Sequence, residues 1–282
     1  MDFSDCELST RFYSGTEEKI GVIIDGCPWI LKFQTKDSFG YKFNHISEYI
    51  GSKVFESFGI DSQTTLLGQY ADRQVVACKD FVYDGCLFVP FNDVGESSLE
   101  RNKEEFQYTY EDIMGMLESN TKLTDVKSTT EMFWNMYIID ALLGNFDRHG
   151  SNWGFIKENN RYQIAPIFDN GSCLFPQMTD EDLMVKIMDS EELTKERVFK
   201  FPTSQIKLDH RKSSYYDVIS SMRFEECNNA LIRVNPRYDP DKIHDIVYGI
   251  DCISEIHKDF YMHMIESRFD MILDYTFRRL ER

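Results

Sequence analysis

The segment GNFDRHGSN, residues 144–152, places Asp147 and Asn152 five positions apart directly after an apolar run. Asp169 follows in PIFDNGS, after a stretch whose pattern predicts a β-hairpin. Because a short hairpin returns the chain close to where it left, we expect Asp169 to lie beside Asn152. Two carboxylates and an amide oxygen suit a hard divalent cation, above all Mg²⁺ carrying phosphates. With Asp147 free to accept a proton from an alcohol, the set matches the pattern of phosphoryl transfer.

The N-terminal third supplies the other groups that such a site needs. Lys32 lies in WILKF on the strand face opposite its apolar neighbours, where it could meet α- and β-phosphates. Glu48 on the following helix could pair with Lys32, as a helix glutamate does in protein kinases. Residues 13–22, YSGTEEKIGV, could fold over phosphates with backbone N–H groups. A D-x-x-x-x-N pattern alone also describes a polar loop, but the ordered combination favours a phosphotransfer site.

The first third is predicted to be rich in strands. Residues 19–33 predict two strands around Asp25-Gly26, because a type I′ turn needs positive φ at both central positions. Residues 47–60 predict a helix, with Ser47 as its N-cap and Gly59 as its stop. A second strand pair is expected in TTLLGQYA and QVVACKDFV.

Helices dominate from about residue 99 onward. Residues 130–143, TEMFWNMYIIDALL, are apolar nearly all round, which is typical of a helix at the centre of a lobe. WGFIK and YQIAPIF predict a second hairpin with ENNR as its turn. The C-terminal segment has a long helical pattern that we expect to break near Gly249. The predicted architecture is a small β-rich lobe followed by a large helical lobe.

Composition excludes several classes of function. The 282 residues carry a net charge of −17 and no basic run longer than two residues, so nucleic acid is not expected as a partner. No stretch predicts a membrane span, and the start of the sequence has no conventional secretory signal. The seven cysteines are scattered without a C-x-x-C pair, which predicts free thiols in a reducing compartment and no zinc site.

These segments, in this order, resemble HipA-like serine/threonine kinases. LLGNFDRHGSNWGF and QIAPIFDNGS resemble the D-R-H-x-x-N and metal-Asp segments of that family, and WILKF, SEYIG, TTLLG and VVACKDF occur in matching order. The similarity is closest to a compact branch that lacks the extra N-terminal subdomain of HipA toxins. It implies an α+β, bilobal, protein-kinase-like fold, with a β-rich N-lobe over residues 1–92 and a helical C-lobe over residues 93–282.

The resemblance also implies roles for individual residues. Asp147 would be the catalytic base, Asn152 and Asp169 would bind Mg²⁺, and Lys32 would hold the phosphates of ATP, with His149 nearby. The remaining nucleotide contacts would come from a hinge (Lys79, Asp80 and Phe81), from a phosphate loop (Ser14, Gly15, Thr16 and Lys19, with Glu17 and Glu18 between) and from Glu48 through Lys32. Autophosphorylation would fall on Ser14 or Thr16.

The expected activity is therefore transfer of the γ-phosphate of ATP, with Mg²⁺, to a Ser or Thr hydroxyl of a protein substrate. Two alternatives stay open at this point. D-R-H-x-x-N also occurs in phosphoinositide-type lipid kinases, and a toxin-like relative could act as a nucleotide-binding pseudokinase held by an antitoxin-like partner. We expect a cytoplasmic location, with secretion or translocation by an unconventional route left open, because the resemblance includes a kinase that acts outside its producer.

Overall fold

A five-stranded antiparallel sheet forms the N-terminal part of the computed structural model, in the order β1-β2-β3-β7-β6. Its strands are β1 (Glu7–Leu8), β2 (Lys19–Ile24), β3 (Cys27–Phe33), β6 (Thr65–Tyr70) and β7 (Arg73–Lys79). The structure describes residues 1–13, 17–38, 40–94, 109–118, 125–159, 161–208 and 211–282. Two short strands, β4 (Lys36–Asp37) and β5 (Gly40–Tyr41), pair with each other between β3 and the first helix.

The β2–β3 hairpin confirms the turn expected at Asp25-Gly26. Asp25 has φ of 49° and Gly26 has φ of 73°, which is the left-handed backbone of a type I′ turn. The turn sets the register so that Lys19 lies directly opposite Lys32. Residues directly opposite in an antiparallel pair point to the same face, so this hairpin presents two lysines side by side.

Helix α1 (Asn44–Ser57) differs from the prediction at its N-terminus. It begins at Asn44 rather than after Ser47, and the Ser47 side chain is buried inside the helix. The earlier start follows from tertiary hydrogen bonds, because Asn44 Nδ2 donates to the Phe33 carbonyl and Asn44 Oδ1 accepts from the Thr35 backbone. Ser47 is therefore not an N-cap. The predicted stop at Gly59 is confirmed, with φ of 72° just past the end of the helix.

A second, three-stranded sheet joins the segment after β7 to the two strands that follow the polar loop, residues 144–152. Strand β8 (Leu87–Pro90) pairs with β9 (Gly154–Glu158), which pairs with β10 (Arg161–Ile164), confirming the second hairpin. Ser62 and Ile167 form a further backbone bridge between the residues after α1 and the end of this hairpin. These pairings hold the chain that leads into Asp169.

The helical part surrounds a large apolar core. Its elements are α2 (Tyr110–Glu118), α3 (Val126–Leu143), α4 (Glu181–Met188), α5 (Glu191–Phe199), β11 (Thr203–Leu208), β12 (Arg211–Ser214), α6 (Tyr215–Ser220), α7 (Glu225–Val234), α8 (Pro240–Tyr248), α9 (Glu255–Arg268), a π-helical segment (Phe269–Asp274) and α10 (Tyr275–Leu280). Helix α3 is buried on most sides, as its sequence predicts, and ends at Gly144 with φ of 62°. The expected break at Gly249 falls between α8 and α9.

Two clusters of apolar side chains stabilise the molecule. The larger one joins α1 to the helices, including Trp134 and Ile139 of α3, whereas the smaller one lies on the five-stranded sheet around Leu31 and Val75. Helix α1 therefore packs with the helical part although in sequence it lies between strands β3 and β6 of the sheet. All seven cysteines are free, as expected. No helix among the described residues is long and apolar enough to span a membrane.

The absence of a side chain at Gly154 allows β8 and β9 to approach each other closely. A Cβ at this position would lie 2.3 Å from the Val89 carbonyl oxygen and 2.9 Å from Pro90 Cα, both backbone atoms that cannot move aside cheaply. We expect Gly154→Ala to lower the free energy of unfolding by roughly 1–3 kcal/mol in urea titrations.

Gly115 provides the matched control for that substitution. It lies within helix α2, where an added Cβ meets no atom of the described residues within 4 Å. Gly115→Ala should raise the free energy of unfolding by about 0.5–1 kcal/mol, because alanine loses less backbone entropy in a helix. Equal effects at the two positions would show that the β8–β9 approach imposes no constraint.

Candidate active site

A cavity of about 970 Å³ lies between the five-stranded sheet and the polar loop that follows α3. Its size is at the upper end of the range typical of ligand-binding sites. Most of the residues predicted to be functional line it, namely Lys19, Lys32, Glu48, Asp80, Phe81, Asp147, His149, Asn152 and Asp169. Ser14, Gly15 and Thr16 lie outside the described residues.

Lys32 lies at the charged end of the cavity between two carboxylates. Its Nζ is 3.2 Å from Glu48 Oε2 and 3.1 Å from Asp169 Oδ1. Burial alone would lower the pKa of the Lys32 ammonium, but Asp169 and Glu48 raise that pKa well above its usual value. The Lys32 charge in turn lowers the pKa of the Asp169 carboxyl despite its burial. Both groups are therefore charged at neutral pH, and the expected Lys32–Glu48 pair is present.

Asp169 is held in a backbone conformation that few residues adopt. Its φ of 58° is left-handed, a region in which Asp and Asn are enriched among non-glycine residues. The next residue, Asn170, packs on α1, where a Cβ added to Gly51 would lie 2.5 Å from Asn170 Cβ. Asn170 Nδ2 also donates to Ser52 Oγ at 3.1 Å. Close packing against α1 thus holds the Asp169 segment beside the Lys32–Glu48 pair.

The loop after α3 presents Asp147 and Asn152 from one tight turn. Asn152 Nδ2 donates to the Asp147 carbonyl at 2.8 Å, so its Oδ1 remains the acceptor available to the cavity. The Asp147 carboxylate is half-exposed, and His149 Nε2 lies 4.0 Å from its Oδ2. His149 Nδ1 accepts a hydrogen bond from the Ser151 backbone at 3.2 Å, which orients the ring. The loop therefore offers one free carboxylate and one free amide oxygen.

Of the three residues predicted as a hinge, two reach the cavity. Lys79 has an exposed side chain outside the lining, its N–H donates to the Thr64 carbonyl, and its carbonyl accepts from Gln63 Nε2. Neither backbone group of Lys79 is free for a ligand. Asp80 and Phe81 line the cavity, and the Asp80 N–H is used by the Pro28 carbonyl. Of the three predicted hinge residues, only Asp80, through its carbonyl, and Phe81 could therefore offer a backbone contact to a ligand.

The end of the cavity near the hinge is apolar. The rings of Phe81, Phe88 and Phe168 contact one another, with centroids 5.1 to 6.0 Å apart. Ile30 and Val76 of the sheet line the same cavity. A flat apolar group thus fits at one end of the cavity, and an anionic group fits beside Lys19 and Lys32 at the other.

The N-terminal segment crosses the hinge and is tied to it by hydrogen bonds that the sequence did not indicate. Arg11 Nη1 donates to Asp80 Oδ2 at 2.8 Å, and Arg11 Nη2 donates to Asp84 Oδ1 at 2.9 Å. The Tyr13 hydroxyl donates to the same Asp80 oxygen at 2.9 Å, and burial together with that bond raises the pKa of Tyr13 to about 12. These contacts close one side of the cavity.

The buried side chain of Arg148 links the segments that form the site. Its guanidinium binds both carboxylate oxygens of Asp140, with Nε to Oδ2 at 2.9 Å and Nη2 to Oδ1 at 3.1 Å. Nη1 donates to the carbonyls of Asn152 and Phe168, and Nη2 also donates to Asn170 Oδ1. Asp140 is fully buried in α3. One side chain thus joins the core helix, the Asp147–Asn152 loop and the Asp169 segment.

The sequence motifs alone assign no role to Arg148 or to Asp140. The available signal was an aspartate within the apolar run MYIIDALL. A carboxylate inside a helix that is apolar all round has to be paired when it is buried. An arginine eight residues later, in a loop leaving the same helix, was a candidate for that partner.

Most of the chain matches one protein-family model. The model described as "HipA-like C-terminal domain" matches residues 12–233, which include the polar loop, the Lys32 strand and the Asp169 segment. The chain belongs to this HipA-like family. The resemblance stated from the sequence motifs is therefore confirmed.

Relatives of the HipA-like chain include an enzyme with a solved structure. Serine/threonine-protein kinase CtkA of Helicobacter pylori is 35% identical over 99% of this chain and 88% of its own length. The crystal structure of that proinflammatory kinase superposes with a TM-score of 0.93, covering 99% of this chain and 97% of the other. HipA from the Shewanella oneidensis MR-1 toxin–antitoxin system, solved with HipB and operator DNA, is 12% identical, with a TM-score of 0.60 over 97% of this chain and 68% of the other. The predicted α+β, bilobal kinase-like fold is confirmed.

The Asp140–Arg148 pair should contribute strongly to the free energy of unfolding of the HipA-like chain. Arg148→Met leaves a fully buried carboxylate without its cation, so we expect a loss of roughly 3–5 kcal/mol in the free energy of unfolding. The double variant Asp140→Asn/Arg148→Met should lose less than the sum of the single variants, because it removes the unpaired charge.

Arg161→Met serves as the control in the same urea titrations. Arg161 is exposed on β10, and its loss should change the free energy of unfolding by no more than about 0.5 kcal/mol. If Arg148→Met costs no more than Arg161→Met, the buried pair is not a stabilising element.

Proposed function

We propose that the HipA-like chain is a serine/threonine protein kinase that uses ATP and Mg²⁺. The observation that carries the proposal is the 35% identity, over nearly the whole chain, to a relative named serine/threonine-protein kinase CtkA. The cavity supports it with Asp147, Asn152 and Asp169 in one lining. A lipid substrate is less favoured, because the net charge of −17 repels an anionic membrane surface.

The residues present fit ATP by the chemistry of the two ends of the cavity. The phenylalanine cluster and Ile30 suit a planar base, whereas the paired lysines at positions 19 and 32 suit phosphates. Glu48 holds Lys32 with one carboxylate oxygen, Oε2. Lys32 would thus be preset to meet phosphate oxygens without a large change in its rotamer.

The donor set also fits Mg²⁺. Asp169 and the free Oδ1 of Asn152 supply hard oxygen ligands, and Lys32 keeps the Asp169 carboxyl ionised. Among the described residues, no three His, Cys, Asp or Glu side chains are grouped to hold an ion by themselves. Two protein ligands are what Mg²⁺ requires when phosphates and water complete its octahedron.

The half-exposed carboxylate of Asp147 supports a role for this residue in orienting the acceptor. Its half-exposed carboxylate would accept a hydrogen bond from the substrate hydroxyl and then take the proton as the oxygen attacks. Asn152 would be held by its bond to the Asp147 carbonyl, so both residues move as one unit. Bound Mg²⁺ would neutralise charge on the transferred phosphoryl group. The His149 ring lies beside Asp147, and we propose that it orients the Asp147 carboxylate rather than acting as the base.

Four finer predictions remain proposals. Autophosphorylation at Ser14 or Thr16 concerns residues outside the described part of the chain. An antitoxin-like partner was suggested by family resemblance, and the 12% identity to HipA bears on the fold alone. The lobe boundary at residue 92 and the cellular location likewise stay predictions.

Label transfer from γ-labelled ATP tests the proposal. With Mg²⁺ and a generic protein substrate, Asp147→Asn should lower kcat by about 10²- to 10⁴-fold, the range for loss of a general base. Asp169→Asn should be similarly impaired, and EDTA should abolish transfer by the wild type. Lys32→Met should raise the KM for ATP.

Asp251→Asn is the matched control, because Asp251 is exposed and outside the cavity. Equal transfer of label by wild type and Asp147→Asn would contradict the assignment of Asp147 as the catalytic residue. Label on phosphoinositide vesicles but not on protein would favour the lipid kinase. ATP binding measured by calorimetry, without any transfer, would favour the pseudokinase.

A further inference from the structure

The segment that carries Asp147 has no regular secondary structure to hold it. Residues 145–149 belong to neither a helix nor a strand, and helix α3 ends at Gly144 with φ of 62°. The Asp147 carboxylate is half-exposed, so packing alone does not fix it. Catalysis is sensitive to such positions, since a misplacement of about 1 Å can lower a rate by roughly 100-fold. The hydrogen bonds of residues 145–147 therefore determine where Asp147 lies.

Asn145 ties the backbone of Asp147 to the buried end of α3. Asn145 Oδ1 accepts the Asp147 N–H at 3.0 Å, and Asn145 Nδ2 donates to Asp140 Oδ1 at 2.9 Å. The Asn145 N–H donates to the Asp140 carbonyl at 3.0 Å. With these groups engaged, the Asn145 carbonyl oxygen remains for a contact with another element.

Two side chains from one later segment bind the carbonyls directly before Asp147. The Tyr215 hydroxyl, at the start of α6, donates to the Asn145 carbonyl at 2.7 Å. Gln205 Nε2, on β11, donates to the Phe146 carbonyl at 3.1 Å. These donors lie 70 and 59 positions away in sequence from the carbonyls that they bind. Bonds at two successive residues restrict the backbone rotations that lead into Asp147.

The Tyr215 hydroxyl is presented by a ring that the core encloses. Tyr215 is buried, and its ring centroid lies 5.0 Å from that of Tyr137. The Arg268 guanidinium, also buried, has its Cζ 5.9 Å from the Tyr215 ring centroid. A Cβ added to Gly144 would lie 3.4 Å from the same Arg268 Cζ. The donor that binds Asn145 is therefore fixed by the packed interior.

We infer that Tyr215 and Gln205 are positioning residues for the transfer reaction, an inference that rests on the proposed kinase function. They hold the backbone before Asp147, whereas Arg148 binds the Asn152 carbonyl after it. Neither Tyr215 nor Gln205 lines the cavity. Their loss should therefore slow the chemical step and leave the binding of ATP nearly unchanged.

Tyr215→Phe tests the inference because it removes the hydroxyl and leaves the ring in place. Loss of this hydrogen bond should lower kcat about three- to tenfold, while the KM for ATP stays within about twofold of wild type. Gln205→Met should lower kcat less, because the Gln205 bond is longer and its side chain is partly exposed. Label transfer from γ-labelled ATP measures both constants.

Amide hydrogen exchange provides a second measurement that does not depend on catalysis. Exchange over residues 145–152, followed by mass spectrometry, should be faster in Tyr215→Phe than in wild type, because the loop is less restrained.

Tyr137→Phe is the matched control. Tyr137 is also buried, but its hydroxyl donates to Ser204 Oγ at 3.0 Å rather than to the Asp147 loop. Ser204 keeps its bonds to the Ser213 carbonyl and the Ile206 N–H, so β11 should stay in place. The two tyrosine variants should lose similar free energies of unfolding in urea, but only Tyr215→Phe should lower kcat and speed exchange in the loop.

An unchanged kcat in Tyr215→Phe would overturn the inference, and so would an equal fall of kcat in Tyr137→Phe. A higher KM for ATP as the only change in Tyr215→Phe would overturn it as well. Faster exchange in Tyr215→Phe alone, in a protein that transfers no label even as wild type, would uphold the hold of Tyr215 on the loop and reject the proposed kinase function.

Discussion

The buried ion pair between Asp140 and Arg148 is the contact on which the geometry of the site depends. Asp140 belongs to the core helix α3, so its position is fixed by packing on most sides. Arg148 carries that position to the carbonyls of Asn152 and Phe168 and to the side chain of Asn170. Only a planar guanidinium has enough donors in a fixed arrangement to serve all these acceptors, so lysine is no substitute. The distance between the two functional loops follows from one side chain.

The Asp169 segment is held from two sides, which ties the sheet to the helical part. From below, Arg148 binds the residues that flank Asp169. From above, Lys32 binds the Asp169 carboxylate, and α1 packs on Asn170 at Gly51. Phosphates entering the cavity would share Lys32 with Asp169, and a metal would share the Asp169 carboxylate with Lys32. Ligand binding at this site would therefore be coupled to the position of α1, because Glu48 holds the same lysine.

The sequence predicted local features well and tertiary ones poorly. The Asp25-Gly26 turn and the end of α1 at Gly59 follow from backbone preferences that a few residues determine. The predicted start of α1 was wrong. The helix begins where Asn44 bonds to the preceding strand, a contact that no local sequence pattern reveals. Lys32, Glu48 and Asp169 could be placed together through family motifs. The Arg11–Asp80 contact spans 69 positions without any motif, so only the folded chain shows it.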